Sequence, residues 1–294
     1  MTVRKKAIVF LAIAFGISWT ALIGGWLLGL SFTSLGDESN WSAGTLMILG
    51  PLVAALVCTM VFERGRRIDA LGIRFRPNWW WFAAVLVPLA VGALAIGLTV
   101  LLSDRVYHGV GESITRGEQV WGQDINVGSV GVLFIGIFVY LTLTEELGWR
   151  GYLYHLWRPS GFWRASFAIG FVWGAWHMPV VLFGPGDTGD RLFNAALYPV
   201  STMFMAPLFI LLRDRGRSIW APGICHATFN GVIVFTQLAL NDASFPWSGM
   251  AGIGGFAALA LLNLAIFLLR LDRPREDARS AGNSPDTVAV DVPS

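Results

Sequence analysis

The chain has 294 residues, 55% hydrophobic and 14% charged, with 14 Trp, 20 Phe and a formal net charge of +2; its mean hydropathy is +0.60. Soluble domains carry about a quarter charged residues, so this composition excludes a soluble globular domain, a disordered chain, a collagen and a coiled coil. The absence of a basic stripe outside short loops excludes a nucleic-acid partner. The only cysteines, Cys58 and Cys225, lie inside apolar runs and form no disulfide framework.

A membrane helix needs about 20 mostly apolar residues to cross a core of about 30 Å. Eight stretches meet that requirement in chain order. The first, 7–30, follows Arg4, Lys5 and Lys6, and its apolar run is too long for a signal peptide, so it reads as a retained span. The second is 43–62, and the third, 79–103, opens on Trp79, Trp80 and Trp81. The fourth, 129–157, is long and polar in its second half, and depths along it are counted as for a continuous helix. The rest are 163–183, 193–212, 219–240 and 249–270. Residues 271–294, rich in Pro, Ser and Asp, read as a disordered cytoplasmic tail. The fold class is therefore an all-α polytopic integral membrane protein whose main partner is the lipid bilayer.

Loop charges orient it. Of 21 Lys and Arg, 18 fall in the segments on one side, and only Arg105, Arg116 and Arg191 fall on the other. The positive-inside rule then puts both termini in the cytoplasm. Trp157, Trp163 and Trp220 sit at inner boundaries, and Trp41 and Trp247 at outer ones, as headgroup belts require. Arg outnumbers Lys 19 to 2, which points to a GC-rich bacterial genome and a plasma membrane. Gly25 and Gly29 have the small-xxx-small spacing of helix packing. Asn263 and Thr236 read as interhelical hydrogen-bond formers. Asn40-Trp41-Ser42 matches a glycosylation sequon, and His108 and His155, in or near loops, carry no assigned role.

Ionisable groups inside a bilayer are costly, so their default reading is functional. Three spans hold them: Thr144-Glu145-Glu146-Leu147-Gly148-Trp149-Arg150 in the fourth, Trp173-Gly174-Ala175-Trp176-His177 in the fifth, and His226-Ala227-Thr228-Phe229-Asn230 in the seventh. Glu146 and Arg150 are four residues apart in the order that favours a helical ion pair. Glu145 is rotated by about 100° from Glu146 and faces elsewhere. Counted from the charged inner ends at about 1.5 Å per residue, Glu145, His177 and Asn230 lie about 20 Å deep and His226 about 14 Å. A single buried His is more often a hydrogen-bonded packing residue; four polar side chains at matched depth are read as a site. Trp173, Trp176 and Phe229 are read as its walls, and Cys225 as packing.

Such a set supports amide hydrolysis. A carboxylate can take a proton from water. One histidine can hold that water, while the other, with an amide N–H, donates to the oxyanion. His177, His226 and Glu145 could alternatively form a His₂Glu zinc set, although the H-E-x-x-H helix of common zinc proteases is absent. A proton-coupled transporter using the same groups as a relay is the alternative from another class; against it, the chain has no inverted repeat.

The three segments together resemble the CPBP family of intramembrane proteases, which includes the CAAX prenyl endopeptidases and the Abi group of bacteriocin-processing and self-immunity proteins. Glu145, Glu146 and Arg150 match its Glu-Glu-x-x-x-Arg motif in full. Trp173 and His177 match Phe-x-x-x-His with Trp in place of Phe, while His226 and Asn230 match His-x-x-x-Asn. The resemblance implies a CPBP-type helical core, placed at 129–240, between three N-terminal spans in 1–128 and a last span in 241–270. It also implies an endopeptidase, often labelled a metalloprotease, that cuts a peptide or membrane-associated protein near the cytoplasmic face. By position, Glu145 and His177 would activate water, His226 and Asn230 would form the oxyanion hole, and Glu146 and Arg150 would support the site. A non-catalytic immunity protein with the same fold stands as a further alternative.

Overall fold

A computed structural model describes residues 1–29, 43–121, 127–183, 190–241 and 245–273. The sequon Asn40-Trp41-Ser42, Trp41 as a belt residue and residues 274–294 of the tail lie outside the described residues. The described chain is helical throughout: α1 Val3–Leu27, α2 Ala43–Phe62, α3 Arg67–Leu71, α4 Trp80–Leu102, α5 Val110–Trp121, α6 Val127–Leu141, a π-helical segment Thr142–Leu153, α7 Tyr154–Trp157, α8 Phe162–Phe183, α9 Arg191–Gly216, α10 Trp220–Leu240 and α11 Ile253–Leu268. Five of these are long and apolar enough to cross a membrane, and Leu46–Phe62 and Ile253–Leu268 are shorter apolar helices. Their outward surface is itself apolar. Phe82, Leu86, Leu101, Leu264 and Phe267 are all at least half exposed, an arrangement suited to lipid rather than water.

The fourth predicted span is not one α-helix. Its middle widens into the π segment, where backbone bonds run from i to i+5. Local chemistry supports the change of register. The hydroxyls of Thr142 and Thr144 donate to the carbonyls of Phe138 (2.6 Å) and Tyr140 (2.7 Å), which gives the junction alternative partners. Packing then exploits the widened turn. A Cβ on Gly148 would lie 2.7 Å from the ring of Pro51 in α2, so only glycine lets that helix approach. A wider turn advances less per residue, so the uniform 1.5 Å rise used for Glu145 does not apply across it. The small helices α3 and α5 have no counterpart among the predicted elements. Gly29 lies beyond the end of α1 with φ 69°, so Gly25 and Gly29 do not form one helix face. Leu271 and Asp272, placed in the tail by sequence, are held by Arg215 (2.9 Å to the Leu271 carbonyl) and by the Trp163 indole N–H (3.0 Å).

Helices α8 and α9 pack closely and run antiparallel. Gly174 makes this possible, because a Cβ there would overlap Thr202 Oγ1 and Pro199 Cα; Thr202 also donates to the Gly170 carbonyl at 2.8 Å. The interhelical roles expected of Asn263 and Thr236 are present. Asn263 donates to the Phe204 carbonyl (3.0 Å), and Thr236 Oγ1 accepts from the Met250 N–H (3.2 Å).

Contacts among the connections sort the molecule into two ends. At one end Lys6 pairs with Glu63, Tyr154 donates to Asp214, Trp220 donates to the Ile73 carbonyl and Arg215 reaches Leu271. At the other, the His108 backbone N–H donates to the Ala239 carbonyl, the Phe193 ring meets Phe245 at a tilt, and Trp26 meets Phe183 likewise. The first end gathers the arginine-rich segments. The second carries Arg105, Arg116 and Arg191.

Candidate active site

The π segment delivers its two adjacent glutamates to different neighbours. Glu146 turns toward α10. Its Oε1 accepts from Arg150 Nη1 at 2.9 Å and sits 2.8 Å from His226 Nδ1. A carboxylate oxygen accepts, so Nδ1 is the donor and the proton-bearing nitrogen. The Glu146–Arg150 pair expected from spacing is present, and both side chains are fully buried. The contact with His226 is additional. No spacing rule within one helix could reveal it, because it depends on how α10 crosses the π segment.

A buried guanidinium needs more than one partner. Arg150 lies between two rings, with its guanidinium carbon 4.2 Å from the centre of Trp173 and 4.1 Å from that of Phe209. Arg150 Nε and Nη2 and Glu146 Oε2 have no hydrogen-bond partner among the described residues. The electron-rich ring faces stabilise the cation where further acceptors are missing.

Glu145 turns toward α8. Its Oε2 accepts from the Trp173 indole N–H at 2.8 Å. His177, one turn later, has Nδ1 2.9 Å from the Trp173 carbonyl. A carbonyl can only accept, so Nδ1 carries the hydrogen and Nε2 presents its lone pair. Trp173 also lies edge-on to both histidines, with centroids 5.6 Å from His177 and 5.2 Å from His226. Trp173, read from sequence as a wall, is thus the residue that touches Glu145, His177, His226 and Arg150 together. The signal that could have identified it is its place at the aromatic position of the second motif, where its N–H distinguishes it from Phe. Trp173→Phe keeps a ring beside Arg150 and removes only the hydrogen bond. It should fold and lose about 1.5 kcal/mol of stability, the low end for one hydrogen bond to a charged group. Unfolding in detergent beside wild type checks this.

Trp176 and Tyr198 complete the surroundings of His177, at centroid distances of 4.6 and 5.1 Å. The Trp176 carbonyl is tied to α1 by the Trp19 N–H at 3.1 Å. No motif marks Tyr198, which comes from α9. Glu145, Trp173, His177, His226 and Asn230 all line one cavity of about 460 Å³. Asn230 is exposed to it, whereas Glu145 is 2% and His226 4% accessible. Phe171, in the same helix, is 53% exposed and takes no part. Cys58 and Cys225 are free and buried.

The zinc alternative fits this geometry poorly. No group of three His, Cys, Asp or Glu among the described residues is placed to hold a metal ion. The Nδ1 atoms of His177 and His226 face a carbonyl and Glu146, and Trp173 occupies one oxygen of Glu145, so only the two Nε2 atoms and the other Glu145 oxygen are open to a ligand.

Residues 127–232 match the family described as type II CAAX prenyl endopeptidase Rce1-like. The matched stretch contains Glu145, Glu146, Arg150, His177, His226 and Asn230, in agreement with the CPBP resemblance carried by the three motifs. No curated protein matches the chain.

Proposed function

We propose, with this family match as the premise, that the protein is a CAAX protease-like intramembrane endopeptidase that hydrolyses a peptide bond by glutamate-activated water. The observation that carries this reading is the shared cavity. It joins a carboxylate, a histidine lone pair and a second histidine–asparagine pair on three separate helices. Trp173 holds one Glu145 oxygen, which leaves the other for the water. His177 Nε2 accepts from the same water and fixes its direction.

In the first step the water oxygen bonds to the scissile carbonyl carbon, and its proton passes to Glu145. The carbonyl oxygen gathers negative charge, and Asn230 Nδ2–H donates to it; His226 adds an Nε2–H as the imidazolium, whose Nδ1–H Glu146 holds. In the second step the carbon–nitrogen bond breaks, and the proton on Glu145 moves to the departing amine. Glu146 acts through His226, whose ring it holds, and Arg150 fixes Glu146. Every proton in this scheme is carried by the chain's own side chains, so no metal is required.

The test is incubation of the purified protein with a peptide library, with products read by mass spectrometry. Cleavage should continue after thorough chelation. Activity lost on chelation and restored by zinc alone would overturn the metal-free scheme. Intact peptides at every composition tested would overturn the endopeptidase reading, because a transporter or immunity protein consumes none. A Glu145→Ala protein used as a trap, followed by identification of what co-purifies, would name the substrate.

A further inference from the structure

The cavity around Glu145 is asymmetric along the membrane normal. Beyond the catalytic groups it is lined by Val181 near the end of α8, Gln237 near the end of α10, and Phe245, Ser248 and Ala251 between α10 and α11. All of these belong to the arginine-poor end. No residue of the arginine-rich connections lines it. Those connections line a separate pocket of about 780 Å³ at the opposite end, which includes Arg74, Arg76, Arg213 and Arg217. The two share no lining residue. Between them lies a packed layer in which Trp149, Arg150, Tyr152, Leu153 and Phe209 are all fully buried. Arg213 Nε closes it further by donating to the Arg150 carbonyl at 3.0 Å.

We propose that substrate enters the catalytic cavity from the arginine-poor end, which the 18 to 3 charge distribution makes the extracytoplasmic side. This moves the reaction away from the cytoplasmic face that the family resemblance implied. The substrate is then a polypeptide segment presented from outside: a translocated peptide or the outer end of a membrane segment. Its residues next to the cleaved bond are uncharged. Apart from Glu145 and the two histidines, the described lining is apolar or carries only amides and hydroxyls, with no Asp, Lys or Arg to pair a charge. What enters rests on the endopeptidase reading; the direction of entry rests on geometry and charge alone.

Substituted-cysteine labelling tests the direction without any need for activity. Ser201→Cys lies within α9 and lines the cavity; Arg76→Cys lies in the opposite pocket. Wild type, whose two cysteines are buried, serves as the blank. A membrane-impermeant maleimide applied to intact cells should label Ser201→Cys at least 10-fold faster than Arg76→Cys, and permeabilisation should remove the difference. Labelling of Ser201→Cys only after permeabilisation, or no labelling in either condition, would overturn the proposal. Val181→Cys is read the same way if Ser201→Cys does not accumulate. A preparation that shows the expected labelling but cleaves no peptide refutes the endopeptidase reading alone; one that cleaves peptide but labels from inside refutes the direction alone.

Discussion

Glu145→Gln should leave a folded protein that has lost cleavage by about 1,000-fold or more, within the upper range for removing a general base. The substitution is nearly isosteric. The amide oxygen can still accept from the Trp173 N–H, so the bond at 2.8 Å that positions the side chain persists. A carboxamide cannot take a proton from water, and that step alone is removed. Thermal stability should stay close to that of wild type, because volume and the Trp173 hydrogen bond are both kept. The comparison is cleavage per folded molecule, with His177→Ala as the reference. Wild-type-like cleavage by Glu145→Gln beside a stable but inactive Glu146→Gln would reverse the assignment of the two glutamates.

Glu146→Gln should behave oppositely, with its main effect on stability. Arg150 is fully buried and has Glu146 as its ionic partner at 2.9 Å. Loss of one member of such a pair typically costs about 3–5 kcal/mol, because the other charge is left uncompensated. The ring faces of Trp173 and Phe209 offset part of that cost, so the lower end of the range is expected. Cleavage per folded molecule should fall but remain measurable, since Glu145 is untouched and the new amide oxygen can still accept from His226 Nδ1. The double variant Glu146→Gln/Arg150→Met removes the stranded cation and should recover part of the lost stability. Unfolding in detergent, followed by intrinsic tryptophan fluorescence, measures both. A double variant less stable than Glu146→Gln alone would show that Arg150 contributes chiefly through the aromatic sandwich.

The transmembrane helices were legible because a bilayer demands long apolar runs, and the site because ionisable groups in such runs stand out. The divergence of Glu145 from Glu146 was also legible, although the reasoning assumed an α-helix where the chain is π-helical. The π segment escaped because hydropathy encodes neither the Thr142 and Thr144 hydroxyl bonds at its start nor the close approach of Gly148 to Pro51. Trp173 escaped for a related reason. Its spacing to His177 is local, but its N–H meets a carboxylate 28 positions earlier in the chain. The bond between Glu146 and His226 spans 80 positions. Such links depend on crossing angles, which composition and periodicity leave open. Helices α3 and α5 are too short and too polar to register against the requirement for a membrane span.

The buried layer of Trp149, Tyr152, Leu153 and Phe209 has an electrical consequence. A cavity that reaches the catalytic groups from one end shortens the insulating path across the bilayer, so most of the membrane voltage must fall over this layer. Moving one charge through 100 mV involves about 2.3 kcal/mol. Groups on the cavity side of the layer therefore sit near the potential of the compartment that the cavity joins, and exchange protons with it alone. The same layer that seals the site keeps a membrane protein with a deep pocket from becoming a proton leak.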